Sequence, residues 1–124
     1  MSLNRALDDG LDPNIANRFA WTLLMLVEGN TAIAKVLFAR GAKVNAVNDF
    51  GDTALSSAAH AGHLKLARWL LSVGASTDCR PHGHDMATWI IMGSGLPKAK
   101  LAEVLTLIGH KEHLQSGPTS DPGQ

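Results

Sequence analysis

Four glycines divide the chain at nearly regular intervals. Gly10, Gly41, Gly74 and Gly109 each follow a stretch whose apolar residues have helical spacing, and they stand 31, 33 and 35 residues apart. Glycine is the residue that most readily ends a helix in the left-handed conformation. The spacing therefore predicts a helical unit of about 33 residues that recurs along the chain. Units of this kind pack on their neighbours and build an elongated stack.

The unit between residues 48 and 79 shows the plan most clearly. Thr53 is a suitable N-cap for a short helix over residues 54–60, and Gly62 ends that helix in a tight turn. A second helix then runs to Gly74, with its apolar residues three and four positions apart. Each unit is therefore expected to be a helix, a turn, a second helix and a loop. The residues predicted to face inward on the second helix are Leu64, Ala67, Leu70 and Leu71.

The same unit resembles a known repeat family. Residues 48–64 read Asn-Asp-Phe-Gly-Asp-Thr-Ala-Leu-Ser-Ser-Ala-Ala-His-Ala-Gly-His-Leu. This is similar to the ankyrin pattern of a loop, Thr-Pro-Leu-His, Ala-Ala and Gly-His. Ala54 stands where the family usually has Pro and Ser56 where it usually has His, and we expect both to weaken the helix start slightly. The resemblance implies an all-α repeat solenoid of ankyrin-type helix-turn-helix repeats joined by hairpin loops.

The pattern predicts one ankyrin-repeat domain over residues 1–115, followed by a disordered tail over 116–124 that is rich in Ser, Gly and Pro. Inside the domain we expect a leading half-repeat, three repeats and a C-terminal cap. Their predicted bounds are 1–16 for the half-repeat, about 17–47, 48–79 and 80–109 for the repeats, and 110–115 for the cap.

Two of the repeats depart from the plan. Seven positions separate Thr22 from Gly29, against nine between Thr53 and Gly62. The first helix of the repeat at 17–47 is therefore expected to be shortened by two residues. In the repeat at 80–109, Asp85 takes the place of the capping threonine.

Composition narrows the classes of partner. Lys and Arg number 11, and so do Asp and Glu, so the formal net charge is zero. A balanced chain has no broad basic surface for nucleic acid or for an anionic membrane. Cys79 is the only cysteine, which suits a reducing compartment. The start of the chain lacks the apolar core of a signal peptide. No apolar run is long enough to span a bilayer. We expect a cytoplasmic protein with no nucleic-acid or membrane partner.

The residues also argue against catalysis and metal binding. Cys79, His82, His84 and Asp85 lie within seven residues, but their spacing does not match the paired ligands of structural zinc sites. We therefore expect a polar loop there, with no metal and no cofactor. The chain has no nucleophile elbow, phosphate loop or dinucleotide fingerprint, so we do not expect an enzyme.

Three loops are the candidate binding surface. The resemblance implies a concave face, built from loop tips and short first helices, that binds another protein. Aromatic residues and Arg are enriched at the energetic centres of protein interfaces. Trp21 and Phe50 are expected to stand outside the helical core, although Phe19 and Phe50 have the alternative of folding onto neighbouring loops. The predicted contact residues are Arg18, Phe19 and Trp21 in the first loop, Asp49, Phe50 and Asp52 in the second, Pro81, His82 and His84 in the third, and His60 at the end of a first helix.

The leading hypothesis is therefore a protein-protein interaction module that acts as an adaptor or inhibitor. One alternative is a self-associating structural subunit, or a fragment of a larger ankyrin protein, because the incomplete leading repeat leaves an apolar edge poorly covered. A metal-binding module is a further alternative. The oligomeric state expected from the sequence is a monomer or a weak homo-oligomer.

Overall fold

The computed structural model describes residues 3–109 of the chain. The predicted cap at 110–115 and the predicted tail at 116–124 lie outside the described residues. Pairs of helices follow one another, and within residues 3–109 the β-type pairing consists of one isolated bridge between Ala16 and Thr22. The elements are α1 (Leu3–Asp8), a 3₁₀ helix (Leu24–Leu26), α2 (Thr31–Ala39), α3 (Ala54–Ala61), α4 (Leu64–Ser72), a second 3₁₀ helix (Pro81–Gly83), α5 (Met86–Gly93) and α6 (Lys98–Leu107).

A reciprocal pair of hydrogen bonds starts α3. The Ser56 backbone N–H donates to Thr53 Oγ1 over 3.2 Å, and the Thr53 backbone N–H donates to Ser56 Oγ over 2.8 Å. This capping box satisfies two backbone donors that would otherwise lack partners. Ser56, which stands where the family usually has His, thus has a capping role that was not predicted, because its hydroxyl completes the cap.

The first helix of the repeat predicted at 17–47 is shortened, and by more than the two residues expected. It is a single 3₁₀ turn over Leu24–Leu26, whereas α3 continues for eight residues. After this turn, Asn30 begins α2 by accepting a hydrogen bond from the Ile33 N–H over 3.1 Å. The missing residues thus affect the first helix and leave the second one regular.

Two asparagines bridge successive repeats in the same way. Asn14 donates through Nδ2 to the Gly41 carbonyl over 3.0 Å and accepts through Oδ1 from the Lys43 N–H over 2.7 Å. Asn45 stands 31 positions later and repeats the arrangement with Gly74 at 3.1 Å and Ser76 at 2.7 Å. Each asparagine therefore fixes the loop after one helix pair against the end of the next pair.

The core runs through the stack as a continuous apolar layer. Small residues such as Ala34, Ala58 and Ala67 are buried in this layer. Between residues 3 and 109, no helix combines the length and apolar character needed to cross a membrane. The repeat boundaries given above remain predictions. The largest fully buried apolar side chains include Leu37, Leu55, Leu70, Ile90 and Val104.

We expect Leu70→Ala to lower the free energy of unfolding by about 2–5 kcal/mol, because Leu70 is fully buried in α4 and its truncation leaves a cavity. Urea denaturation followed by circular dichroism measures the change. A loss smaller than about 0.5 kcal/mol is outside the range for a buried leucine and would place Leu70 outside the core.

Gly51 provides a second test of the loop packing. It has a φ of +82°, and a Cβ atom there would collide with the carbonyl oxygen of Arg80 in the next loop. Gly74 also has a positive φ, +100°, but a Cβ atom there would meet nothing within 4 Å. We expect Gly51→Ala to destabilise the protein by at least about 1 kcal/mol more than Gly74→Ala, since both share the backbone strain and only the first adds a clash. Equal losses in urea melts would show that the loops do not pack as described.

Candidate functional site

Three loops lie side by side along one edge of the stack. Within the first two loops, Asn17 and Asn48 hold the turn, because each Oδ1 accepts two backbone N–H groups further along the same loop. Between loops, the Asp49 N–H donates to the Phe19 carbonyl over 3.0 Å, and the His82 N–H donates to the Phe50 carbonyl over 2.6 Å. The predicted contact residues of the three loops are thereby brought to one surface.

Five rings form a continuous series on this surface, which we call the aromatic ladder: Phe19, Phe50, His82, Trp89 and His60. Successive ring centroids lie 6.0, 5.4, 4.3 and 4.9 Å apart. The last three pairs are stacked, with interplanar angles of 12°, 22° and 23°. The ladder therefore connects the three loops to α5 and then returns to the end of α3.

Beside the ladder lies a cavity of about 350 Å³, which we call the aromatic cavity. Five predicted contact residues line it, and two further residues, Ser57 and Trp89, were not singled out from the sequence. Counting from the N-cap of each first helix could have identified both residues. Ser57 stands four positions after Thr53, and Trp89 stands four positions after Asp85. The predicted residues in the lining are Trp21, Phe50, Asp52, His60 and His82.

Phe19 and Phe50 pack against each other and also remain partly exposed. Their rings are in contact with each other, yet 42% of Phe19 and 40% of Phe50 remain exposed. The Arg18 guanidinium lies 4.9 Å from the centre of the Phe19 ring, which is a cation–π distance. Asp49 and His84 are exposed on the same loops. These side chains are accessible to a partner.

Three predicted contact residues are more buried than expected. Asp52 is buried: its Oδ1 accepts from Ser56 Oγ over 2.8 Å, and its Oδ2 lies 3.7 Å from His82 Nε2. Pro81 is fully buried at the start of its 3₁₀ turn. Trp21 is half-buried and packs against the core, so the expectation that it stands outside the core is wrong. Asp52 and Pro81 stabilise the loops and expose little surface to a partner.

The His60 side chain lines the cavity and also packs against α5, where its Nε2 atom lies close to Gly93. Its Nε2 is buried and has no hydrogen-bond partner within residues 3–109, while its ring stacks on Trp89. A buried polar atom without a partner is costly.

Three of the four candidate metal ligands have separate roles in the structure, and the fourth, His84, is exposed. Burial raises the pKa of the Cys79 thiol above its ordinary value, and the Thr53 hydroxyl donates to Cys79 Sγ over 3.7 Å. His82 belongs to the aromatic ladder, and Asp85 caps α5 by accepting from the Thr88 N–H over 2.7 Å. Across the described part of the chain, no group of three or more His, Cys, Asp or Glu residues is arranged to hold a metal ion.

Comparison with known proteins agrees with the geometry. A family model described as ankyrin repeats, in three copies, matches residues 2–81. Among curated proteins, the chain is similar to the mouse (Mus musculus) protein named "Protein fem-1 homolog A-like", with 32% identity over 115 residues. The similarity covers 91% of this chain and 17% of the mouse protein, so the chain spans less than a fifth of that relative.

Both the predicted resemblance and the all-α repeat fold are confirmed. The family match ends at residue 81, and beyond it α5 packs on α3 and α6 packs on α4. The helix pair after the matched region therefore continues the stack. The chain belongs to the ankyrin-repeat family.

Proposed function

We propose that this protein is a protein-binding module, acting as an adaptor or inhibitor, and that it binds its partner through the aromatic cavity and the exposed edge of the aromatic ladder. Ankyrin repeats are generally protein-protein interaction modules and generally non-enzymatic scaffolds. The observation that carries the proposal is the convergence of Trp21, Phe50 and Trp89 on one cavity.

The energetic argument rests on the aromatic rings. Aromatic side chains dominate the binding energy of many protein interfaces, because they remove a large apolar area from water at a small cost in side-chain entropy. Phe50 is two-fifths exposed at the rim of the cavity, while Trp21 and Trp89 are half-buried in its wall. Apolar side chains of a partner would cover these rings and bury them fully.

The polar groups of the cavity support selective binding. The Ser57 side chain and the His82 ring offer hydrogen-bonding atoms among apolar walls. A partner that matches these atoms gains over one that leaves them unpaired, because an unsatisfied buried polar group costs about 1–3 kcal/mol. The apolar walls thus provide binding energy, and the polar atoms discriminate between partners.

The site is also organised before a partner binds. His82 is held between the Phe50 and Trp89 rings, and its backbone N–H is bonded to the Phe50 carbonyl. Side chains that are already ordered lose little entropy on binding. This favours recognition by a fixed surface.

The partner we propose is a protein, with no nucleic acid, membrane or cofactor involved. The zero formal charge supports this choice, because nucleic acids and anionic membranes are bound through an excess of Lys and Arg. We also propose the cytoplasm as the location, since the single cysteine suits a reducing compartment.

Self-association is a second candidate, favoured by one observation at the far end of the stack. Counted from the two N-caps, Ile91 in α5 takes the register of Ala59 in α3. Ala59 is 1% exposed where α5 packs on α3, whereas Ile91 is 52% and the adjacent Met92 64% exposed. A second copy of the chain that packed on this face would bury both side chains.

Light scattering at two protein concentrations tests self-association. If α5 is an interface between copies, the average mass rises with concentration, and Ile91→Ser keeps it at the monomer value. A mass that stays at one chain across both concentrations contradicts this candidate and leaves the partner-binding proposal unaffected.

Substitution at Ser57 tests the main proposal. Because Trp21 packs on the core, the pair Trp21→Ala and Phe50→Ala would disturb folding as well as binding. Ser57→Trp instead fills the aromatic cavity from a partly exposed helix position. We expect this variant to weaken binding of the native partner by at least about thirtyfold, the effect of losing one central aromatic contact of about 2 kcal/mol.

The control carries the same change at an exposed position of α4, Ser72→Trp. A partner is first captured on the wild-type protein from an extract of cells that express it, and its Kd is then measured by calorimetry with both variants. Thermal melting must show that both are folded. Retention of wild-type affinity by folded Ser57→Trp would exclude the aromatic cavity as the binding site.

A further inference from the structure

A second, smaller groove lies on the same face between the 3₁₀ helix Leu24–Leu26 and α3. We call it the first-repeat notch. Its volume is about 130 Å³, and its walls include Leu24, Met25, Ala58 and Leu66. Removing one leucine side chain from a protein core leaves a cavity of similar size, on the order of 150 Å³. The notch therefore has room for one aliphatic side chain.

The notch exists because the first repeat lacks two residues. When the helix starts and the closing glycines of the two repeats are matched, the missing positions correspond to Ala59 and His60 of α3. In the next interface these two residues fill the space: Ala59 is buried under α5, and the His60 ring stacks on Trp89. In the first interface the position of Trp89 is taken by Ser57, which is much smaller. The space between the first repeat and α3 is therefore filled from neither side of this interface.

Glu28 and His63 are the residues with ionisable side chains that line the notch. Glu28 is exposed, lines the groove and has a φ of +52°, the left-handed region that is unfavourable for a side chain of this kind. No ion pair within 4 Å is present for Glu28 among residues 3–109. A carboxylate beside an apolar groove is complementary to an aliphatic side chain that has a positively charged neighbour.

The notch and the aromatic cavity share a wall. Ser57 lines both, and its small side chain allows a backbone to pass closely between them. A single extended segment can therefore reach from the aromatic rings, across Ser57, into the notch.

We propose that the first-repeat notch binds one Leu-, Ile- or Val-sized side chain of the partner, in an extended segment whose adjacent residue is Lys or Arg and faces Glu28. This proposal rests on the proposed function, because it names the chemistry of the segment that the same face binds. The two-residue deletion makes the notch a specificity determinant of this chain.

A library of random extended peptides, selected on the full chain, provides the probe. We expect the selected peptides to contain an aliphatic residue next to Lys or Arg. Replacing the aliphatic residue of a selected peptide by Ala should weaken its binding to the wild-type protein by about tenfold or more, as the loss of one buried aliphatic side chain implies. Fluorescence polarisation of the labelled peptide measures both affinities.

Two protein variants locate the contact. Ala61→Leu fills the notch from an exposed position of α3, and Ala39→Leu makes the same change at an exposed position of α2. With Ala61→Leu, the original and the Ala-substituted peptide should bind equally weakly, whereas Ala39→Leu should keep the wild-type difference. This cycle measures the coupling between the peptide side chain and the notch. Glu28→Gln should abolish the preference for Lys or Arg over Gln in the peptide.

The outcomes separate the two proposals. Peptides that lose binding with Ser57→Trp but respond identically to Ala61→Leu and Ala39→Leu overturn the notch proposal and leave the proposed function standing. The notch proposal also fails if the selected peptides show no aliphatic preference. A library from which nothing is enriched, or whose peptides bind Ser57→Trp as well as the wild type, contradicts both.

Discussion

The register of the stack depends on asparagine side chains that bond to backbone groups. Asn14 and Asn45 join the end of one helix pair to the loop of the next, and Asn17 and Asn48 shape the loops themselves. Each side chain satisfies backbone groups that no helix pairs. At the Asp52 N–H, which bonds to Asn48, the bond is buried, and an unpaired backbone group there would be costly. Since the aromatic ladder is assembled from successive loops, its ring spacing follows from these bonds. The candidate site is thus a direct product of the repeat register.

The third loop is held in place without the asparagine contact found in the first two loops. Arg80 stands where the two preceding loops have asparagine, because the Gly83 N–H donates to the Arg80 carbonyl as the Gly51 N–H donates to the Asn48 carbonyl. A guanidinium has donors only and cannot accept backbone N–H groups. Instead, Arg80 Nη2 donates to the Gly83 carbonyl over 3.1 Å, and His82 adopts a φ of +52°. The His82 ring is then held between two aromatic rings. Stacking replaces the asparagine contact in this loop, and it brings an imidazole into the candidate site.

The fold was largely predictable because its determinants are local. The spacing of glycines and capping residues specified the helix pairs, and the interval between Thr22 and Gly29 indicated the shortened helix. The site was predictable only in part. Five of the predicted residues line the aromatic cavity, but Ser57 and Trp89 required a comparison of register between repeats.

Burial was the property that sequence reasoning missed. Asp52 looked like an exposed loop charge, yet its carboxylate accepts the Ser56 hydroxyl, and that contact depends on how the loop folds over the helix start. Trp21 was predicted to be a loop-tip residue, but its side chain, which precedes the short 3₁₀ turn, packs on the core. Both outcomes depend on packing between segments, which no local pattern specifies.

The shortened first helix also bears on how such a protein can change over evolutionary time. In a molecule with one central core, the loss of two residues from a helix would shift every layer packed upon it. Here the loss is absorbed at a single interface, because each repeat contacts only its neighbours, and α2 and α3 keep regular helices on either side. Insertions and deletions in a first helix can therefore create or close grooves one interface at a time. Length variation becomes a source of new recognition surfaces, alongside substitution, without a new fold.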